Sequence, residues 1–212
     1  MALITQEQMS AFTRKIVKAD PAFSSIIKAS PLCTIGRKRN TRSHYETLVT
    51  SIISQQLSTK AADSITRRLR EQAAGKIDPD SISLMSPEQL RGCGLSNAKV
   101  RAISELTTAI SSKTINFHRF PYLSNEEISK ELTALWGIGR WTVEMFLMFH
   151  LGRLDVWPVG DLGVRRGWEK LHKLDAQIEP EQLDLKGSQF EGFQSIVAWY
   201  CWRALEGENS TW

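Results

Sequence analysis

Leu135-Trp136-Gly137-Ile138-Gly139-Arg140-Trp141-Thr142 is the stretch on which the reading of this chain turns. Two glycines flank one apolar residue, with a helical pattern ending at Leu135 and another starting near Arg140. Glycine takes positive φ without steric cost and lets a second backbone come close. The spacing therefore predicts a tight corner between two helices, the second presenting its amino end. Backbone N–H groups at such an end make a natural seat for a phosphate. Ile138 is expected to point inward and pin the corner to the core. Taken alone, a G-x-G corner equally suits a plain structural turn.

The apolar spacing around this corner is helical almost throughout. Tyr45, Leu48, Val49, Ile52 and Ile53 form one stripe, and Leu57, Ala61, Ile65 and Leu69 the next. Val100, Ile103, Leu106 and Ile110 give a third, and Ile128, Leu132 and Leu135 a fourth. Ser43, Ser58 and Ser96 stand where helices would be capped, and Ser86-Pro87-Glu88 opens a short helix with proline in its first turn. No alternation of period two is present, so the fold class is all-α. Trp141 to Leu151 and Ile196 to Leu205 are apolar on every side and are expected to be buried centrally. On this pattern Met145 and Met148 read as core packing. Asp175 to Gly187 is acidic and reads as an irregular loop.

The 212 residues, 42% hydrophobic and 24% charged, have the composition of an ordinary globular protein. No apolar run approaches the length of a membrane span, and the amino terminus lacks a basic segment followed by an apolar one. An intracellular location and no membrane partner are expected. Cys33, Cys93 and Cys201 lie far apart without a C-x-x-C pair, which speaks against a disulfide framework or a zinc site. The four histidines are equally scattered, so no metal and no cofactor is expected. A net charge of +4 permits a polyanionic partner, and basic residues cluster at Gly36 to Arg42 and at Arg165-Arg166. Solvated surface explains such clusters equally well.

A further stretch, Asp155-Val156-Trp157-Pro158-Val159-Gly160-Asp161-Leu162-Gly163-Val164-Arg165-Arg166, places Asp161 after a loop and before a helix. Aspartate there is a preferred N-cap. A carboxylate held in that way can also do chemistry.

The order L-x-G-I-G-R-W-T, apolar helix, D-V-W-x-x-G-D resembles the helix–hairpin–helix DNA glycosylases, and within them the 3-methyladenine DNA glycosylase II branch. Leu48 to Ala62, Gly94-Leu95-Ser96-Asn97-Ala98-Lys99 and Ser195 to Arg203 are similar to three more stretches of that branch. The likeness runs from about Tyr45 to Arg203. Gly192-Phe193-Gln194-Ser195 departs from it, because an arginine often precedes that serine. The resemblance implies one glycosylase unit over residues 1–212, in a compact form without the extra amino-terminal β domain of longer relatives. Its two interleaved lobes would border an active-site cleft, with the hairpin at about 132–145.

The resemblance also implies residue roles. Asp161 matches the catalytic aspartate. Trp141 and Trp202, with Met145 and Trp157 beside them, match the base pocket. Gly137, Ile138, Gly139, Arg140 and Thr142 match the DNA-binding hairpin. Gln55, Gln56, Leu57 and Ser58 match the minor-groove wedge loop, with no one of them singled out. The implied partner is double-stranded DNA carrying a damaged base, engaged by a monomer in the cytoplasm or nucleoid of a bacterium or the nucleus of a eukaryote.

Such an enzyme would flip out an alkylated purine of the 3-methyladenine or 7-methylguanine type and hydrolyse its N-glycosidic bond. Trp141 fills the position of the lysine nucleophile in lyase-type relatives. Three cysteines are too few for the iron–sulfur cluster of other relatives. Two alternatives compete with this reading: a non-catalytic helix–hairpin–helix module that binds DNA, and a lyase-type glycosylase for oxidised bases.

Overall fold

The computed structural model describes residues 3–206, which are helical without a strand. The described residues divide into two compact units: Asn40–Phe146 forms one, and residues 3–39 join 147–206 in the other.

In the Asn40–Phe146 unit, α3 (His44–Ser54) packs against α4 (Thr59–Gln72), α7 (Asn97–Ser111) and α9 (Arg140–Met145). The short α5 (Pro79–Ser83) and α6 (Pro87–Gly92) also lie on α7, and α8 (Asn125–Thr133) leads into α9. The serine caps are formed as expected: Ser43, Ser58, Ser86 and Ser96 each accept a backbone N–H in the first turn of the helix that follows. The Tyr45–Ile53 stripe is buried, as are Ile103 and Leu106 of α7, the helix packed against it. Each such side chain contributes about 1.5–3 kcal/mol of hydrophobic stabilisation. The Tyr45 hydroxyl donates to Thr107 Oγ1 at 2.6 Å, and Thr107 in turn donates to the Ile103 carbonyl.

His44 sits among the rings of Phe117, Phe120 and Phe146 at 5.4, 6.2 and 5.9 Å. Burial, reinforced by His118, holds its pKa below the ordinary histidine value. The unfolded chain then binds a proton that the folded chain refuses, so stability falls as pH drops below about 6.5. Urea midpoints measured between about pH 7.5 and pH 5 should decline with acidity in the native chain, and less steeply in His44→Gln.

The other unit holds α1 (Gln6–Ala19), α2 (Ser24–Ala29), α10 (Leu162–His172), α11 (Pro180–Gly187) and α12 (Gln194–Leu205). Its centre is the crossing of α10 on α12, where Gly167 allows contact with the Cys201 backbone. The three cysteines are buried and unpaired. Burial pushes the Cys33 thiol up to about 12 and raises those of Cys93 and Cys201 as well. Among the described residues no helix is long and apolar enough to cross a membrane.

Several expectations need correction. The Asp175–Gly187 stretch is not all loop: Glu179 and Gln182 form a capping box, and Pro180 opens α11. α8 ends at Thr133 rather than Leu135. The helix from Trp141 onward is not buried all round, because Trp141 is 51% and Phe149 49% exposed. Nor is it a uniform α-helix, since α9 widens into a π-turn over Phe146–His150.

Candidate active site

Asp161 is brought to its place by a loop fixed at several points. Ser195 Oγ donates to the Val156 carbonyl at 3.1 Å and accepts the Val156 N–H at 3.0 Å, tying the loop to the start of α12. Trp157 Nε1 donates to the Leu183 carbonyl at 3.0 Å, and the same ring lies against Gly187 and Trp168. A turn then closes from Asp161 N–H to the Pro158 carbonyl.

Asp161 caps α10, its Oδ1 accepting the Val164 N–H at 2.8 Å. Trp202 of α12 donates its indole N–H to that same oxygen at 2.8 Å. The residue as a whole is 9% exposed. The cap and the indole together fix the orientation of the carboxylate. Trp202 in turn lies 5.7 Å from Phe149. Gly163 makes room for it: a Cβ there would stand 2.7 Å from Trp202 Cδ1 and 3.1 Å from Asp161 Oδ1.

The glycine corner is built in the Asn40–Phe146 unit. Gly137 has φ +82°, and a Cβ on it would lie 2.7 Å from Ala102 of α7, so glycine is needed there for both reasons. Gly139 needs neither, because its φ is −87° and a Cβ there would meet nothing within 4 Å. It caps α9 without a side chain, leaving the helix end open for close approach from outside. Ile138 is buried, as expected of it. Arg140 pairs with Glu144 at 2.9 Å while remaining exposed.

Helix α7 grips this corner. Glu105 Oε2 accepts the Trp136 N–H at 3.1 Å, and Arg101 lies over the Trp136 ring at 4.4 Å. A hydrogen bond from Arg101 Nε at 3.0 Å, and after it the one from the Trp136 N–H, hold the Glu105 carboxyl below its usual range.

The Gln55–Ser58 loop separates into anchors and a tip. Gln55 donates its amide to the Gly137 carbonyl at 3.1 Å and to Thr142 Oγ1 at 3.2 Å. Ser58 is used as the cap of α4. Gln56, in the left-handed region at φ +57°, and Leu57, 40% exposed, form the tip.

Of the residues singled out in the sequence, Asp161, Trp202 and Trp157 thus fall in one unit. Trp141, the half-buried Met145, the glycine corner and the Gln55–Ser58 loop fall in the other. Gly163, Ser195 and Glu105 escaped sequence reading. Only the Arg101–Glu105 spacing of four residues on one helix hinted at any of them.

The family described as HhH-GPD superfamily base excision DNA repair protein matches residues 49–190. The chain belongs to this family. Within it, DNA-3-methyladenine glycosylase 1 of Schizosaccharomyces pombe is 38% identical over 171 residues, which is 79% of this chain and 75% of that protein. The crystal structure of DNA-3-methyladenine glycosidase from Bacillus halodurans has a TM-score of 0.82 at 31% identity, over 91% of this chain and 88% of that one. The Schizosaccharomyces pombe 3-methyladenine DNA glycosylase in complex with abasic DNA has a TM-score of 0.81 at 31% identity, over 95% of this chain and all (100%) of that one. The all-α class expected from the helical spacing, and the glycosylase fold that the resemblance implied, are therefore present.

Proposed function

We propose that this chain is a monofunctional DNA glycosylase that turns an alkylated purine out of duplex DNA and hydrolyses its N-glycosidic bond, leaving an abasic site. The observation that carries the reading is the buried Asp161 carboxylate, oriented by Val164 and Trp202, in a chain whose relatives are named DNA-3-methyladenine glycosylases. Both units act together as one glycosylase over residues 1–212, working as a monomer inside the cell where its DNA lies.

A base inside the stack is out of reach, so the nucleotide is extruded first. Gln56 and Leu57 fill the vacated space, and the Gly137–Thr142 corner holds a neighbouring phosphate through backbone N–H groups. Alkylation at N3 or N7 makes the purine cationic, and it then departs as a neutral base. Trp141, with Met145, offers the cationic ring an aromatic face, an attraction of about 1–2 kcal/mol where water is excluded. Trp202 lies beside the carboxylate and Trp157 supports the loop beneath it. As the C1′–N bond breaks, positive charge collects on the sugar. The ionised Asp161 stabilises that charge and orients the water whose oxygen bonds to C1′ as its proton passes to the carboxylate.

A panel of duplexes carrying 3-methyladenine, 7-methylguanine, hypoxanthine, ethenoadenine or an oxidised guanine tests this. The alkylated purines should be released fastest, leaving intact strands that break only after hot alkali. Borohydride should trap no protein on the DNA, because Trp141 supplies no amine for a Schiff base. A trapped adduct, or release confined to the oxidised base, would show the lyase reading to be the right one.

A further inference from the structure

The turn Gly94-Leu95-Ser96-Asn97-Ala98-Lys99 leads into α7, which Ser96 caps. Lys99 stands in the first turn of that helix, where a cation opposes the helix dipole. Its placement makes sense only through a neighbour. Its Nζ donates to the carbonyl of Ile53, in the last turn of α3, at 2.7 Å and to that of Gln55, the residue that ends the helix before the exposed tip, at 2.9 Å. Other helices here, such as α1 and α4, close with a backbone N–H returned to the last turn, Asp20 to Ile16 and Ala73 to Leu69. At the end of α3 a charged amine takes those carbonyls instead, and it is partly desolvated, which lowers its pKa. Gln55, whose carbonyl it holds, reaches with its side chain to Gly137 and Thr142 of the glycine corner. The same helix α7 carries Ala102 beneath Gly137 and Glu105 on the Trp136 N–H.

We propose that Lys99 is a positioning residue for base extrusion, its ammonium holding the Gln56–Leu57 tip at a fixed height relative to the Gly137–Gly139 corner. The inference rests on the glycosylase reading above. One helix then sets the distance between the element that enters the stack and the element that grips the backbone. Without the ammonium the last carbonyls of α3 turn to water, and the tip at left-handed Gln56 loses its anchor while both loops persist.

The test compares the native chain with Lys99→Met and Lys99→Arg in single-turnover release of 7-methylguanine. The lesion is placed opposite cytosine and, separately, opposite an abasic analogue where no partner base holds it in the stack. Lys99→Met should slow release from the paired site by about tenfold, the worth of a charge-assisted hydrogen bond. It should slow release from the unpaired site by less than about threefold, because extrusion there costs little. Lys99→Arg should recover most of the paired rate. Equal slowing at both sites with a lowered Tm would mean a purely structural lysine, and no slowing at either would mean no role, so both overturn the proposal.

If the native chain releases the base in neither setting, the glycosylase reading fails on its own. Fluorescence of 2-aminopurine beside the lesion then decides for Lys99 without chemistry. A smaller rise on binding of Lys99→Met upholds the positioning role, and an equal rise ends it.

Discussion

Asp161→Asn loses nearly all base release while the protein still folds and still binds DNA. Asparagine caps a helix about as well as aspartate, and its side-chain oxygen can accept from both Val164 and Trp202. What the substitution removes is charge. A unit negative charge ~4 Å from the sugar cation is worth on the order of 4 kcal/mol at an effective dielectric near 20. That is roughly a thousandfold in rate. Single-turnover release from a 7-methylguanine duplex should therefore drop by about that factor, with the affinity for undamaged duplex, read by anisotropy, unchanged. Asp161→Ala makes the contrast, because it also loses the cap and costs about 1 kcal/mol of stability. If Asp161→Asn turns over at the native rate, Asp161 is a helix cap and nothing more.

Gly167→Ala collapses the unit that carries this carboxylate. A methyl group there would lie 2.0 Å from the Cys201 carbonyl oxygen and 2.8 Å from its Cα, all backbone, so no side chain can rotate away. Helices α10 and α12 must part. Overpacking of this kind costs about 3 kcal/mol or more, a fall in Tm of roughly 6–12 °C for a chain of this size. For Gly163→Ala, one helical turn earlier, the nearest atoms are side-chain ones, the Trp202 ring and Asp161 Oδ1. Its effect should appear in catalysis instead, with Tm little changed and the rate reduced as the indole is pushed off the carboxylate. Thermal scans and single-turnover rates on the two variants separate these outcomes. Native-like Tm for Gly167→Ala would mean that the helices do not meet as closely as described.

The helices and their caps were legible because serine and proline punctuation coincides with the apolar period, as at Ser43, Ser86 and Ser96. α11 was overlooked for a related reason. Its start signal, Glu179-Pro180 with Gln182, lies in an acidic stretch with few apolar residues to mark a face. The corner at Gly137 could be read from glycine alone, yet the sequence cannot tell that a side chain would be strained and crowded at Gly137 and neither at Gly139. Asp161 stood out by its motif. The Trp202 N–H that orients it comes from 41 residues away, and no local pattern encodes that pairing. Trp141 reads as core by composition and proves half exposed, since hydrophobicity alone does not fix which apolar side chains are buried.

The three sealed cysteines bear on survival as well as on folding. Thiolates, not thiols, are the species that electrophiles attack. Cys33 stays protonated at neutral pH and, like Cys93 and Cys201, is almost wholly shielded from solvent. Reagents that methylate purines also methylate exposed sulfur. A protein that repairs such damage is needed while those methyl donors are still present, and this one offers them no soft nucleophile among its cysteines.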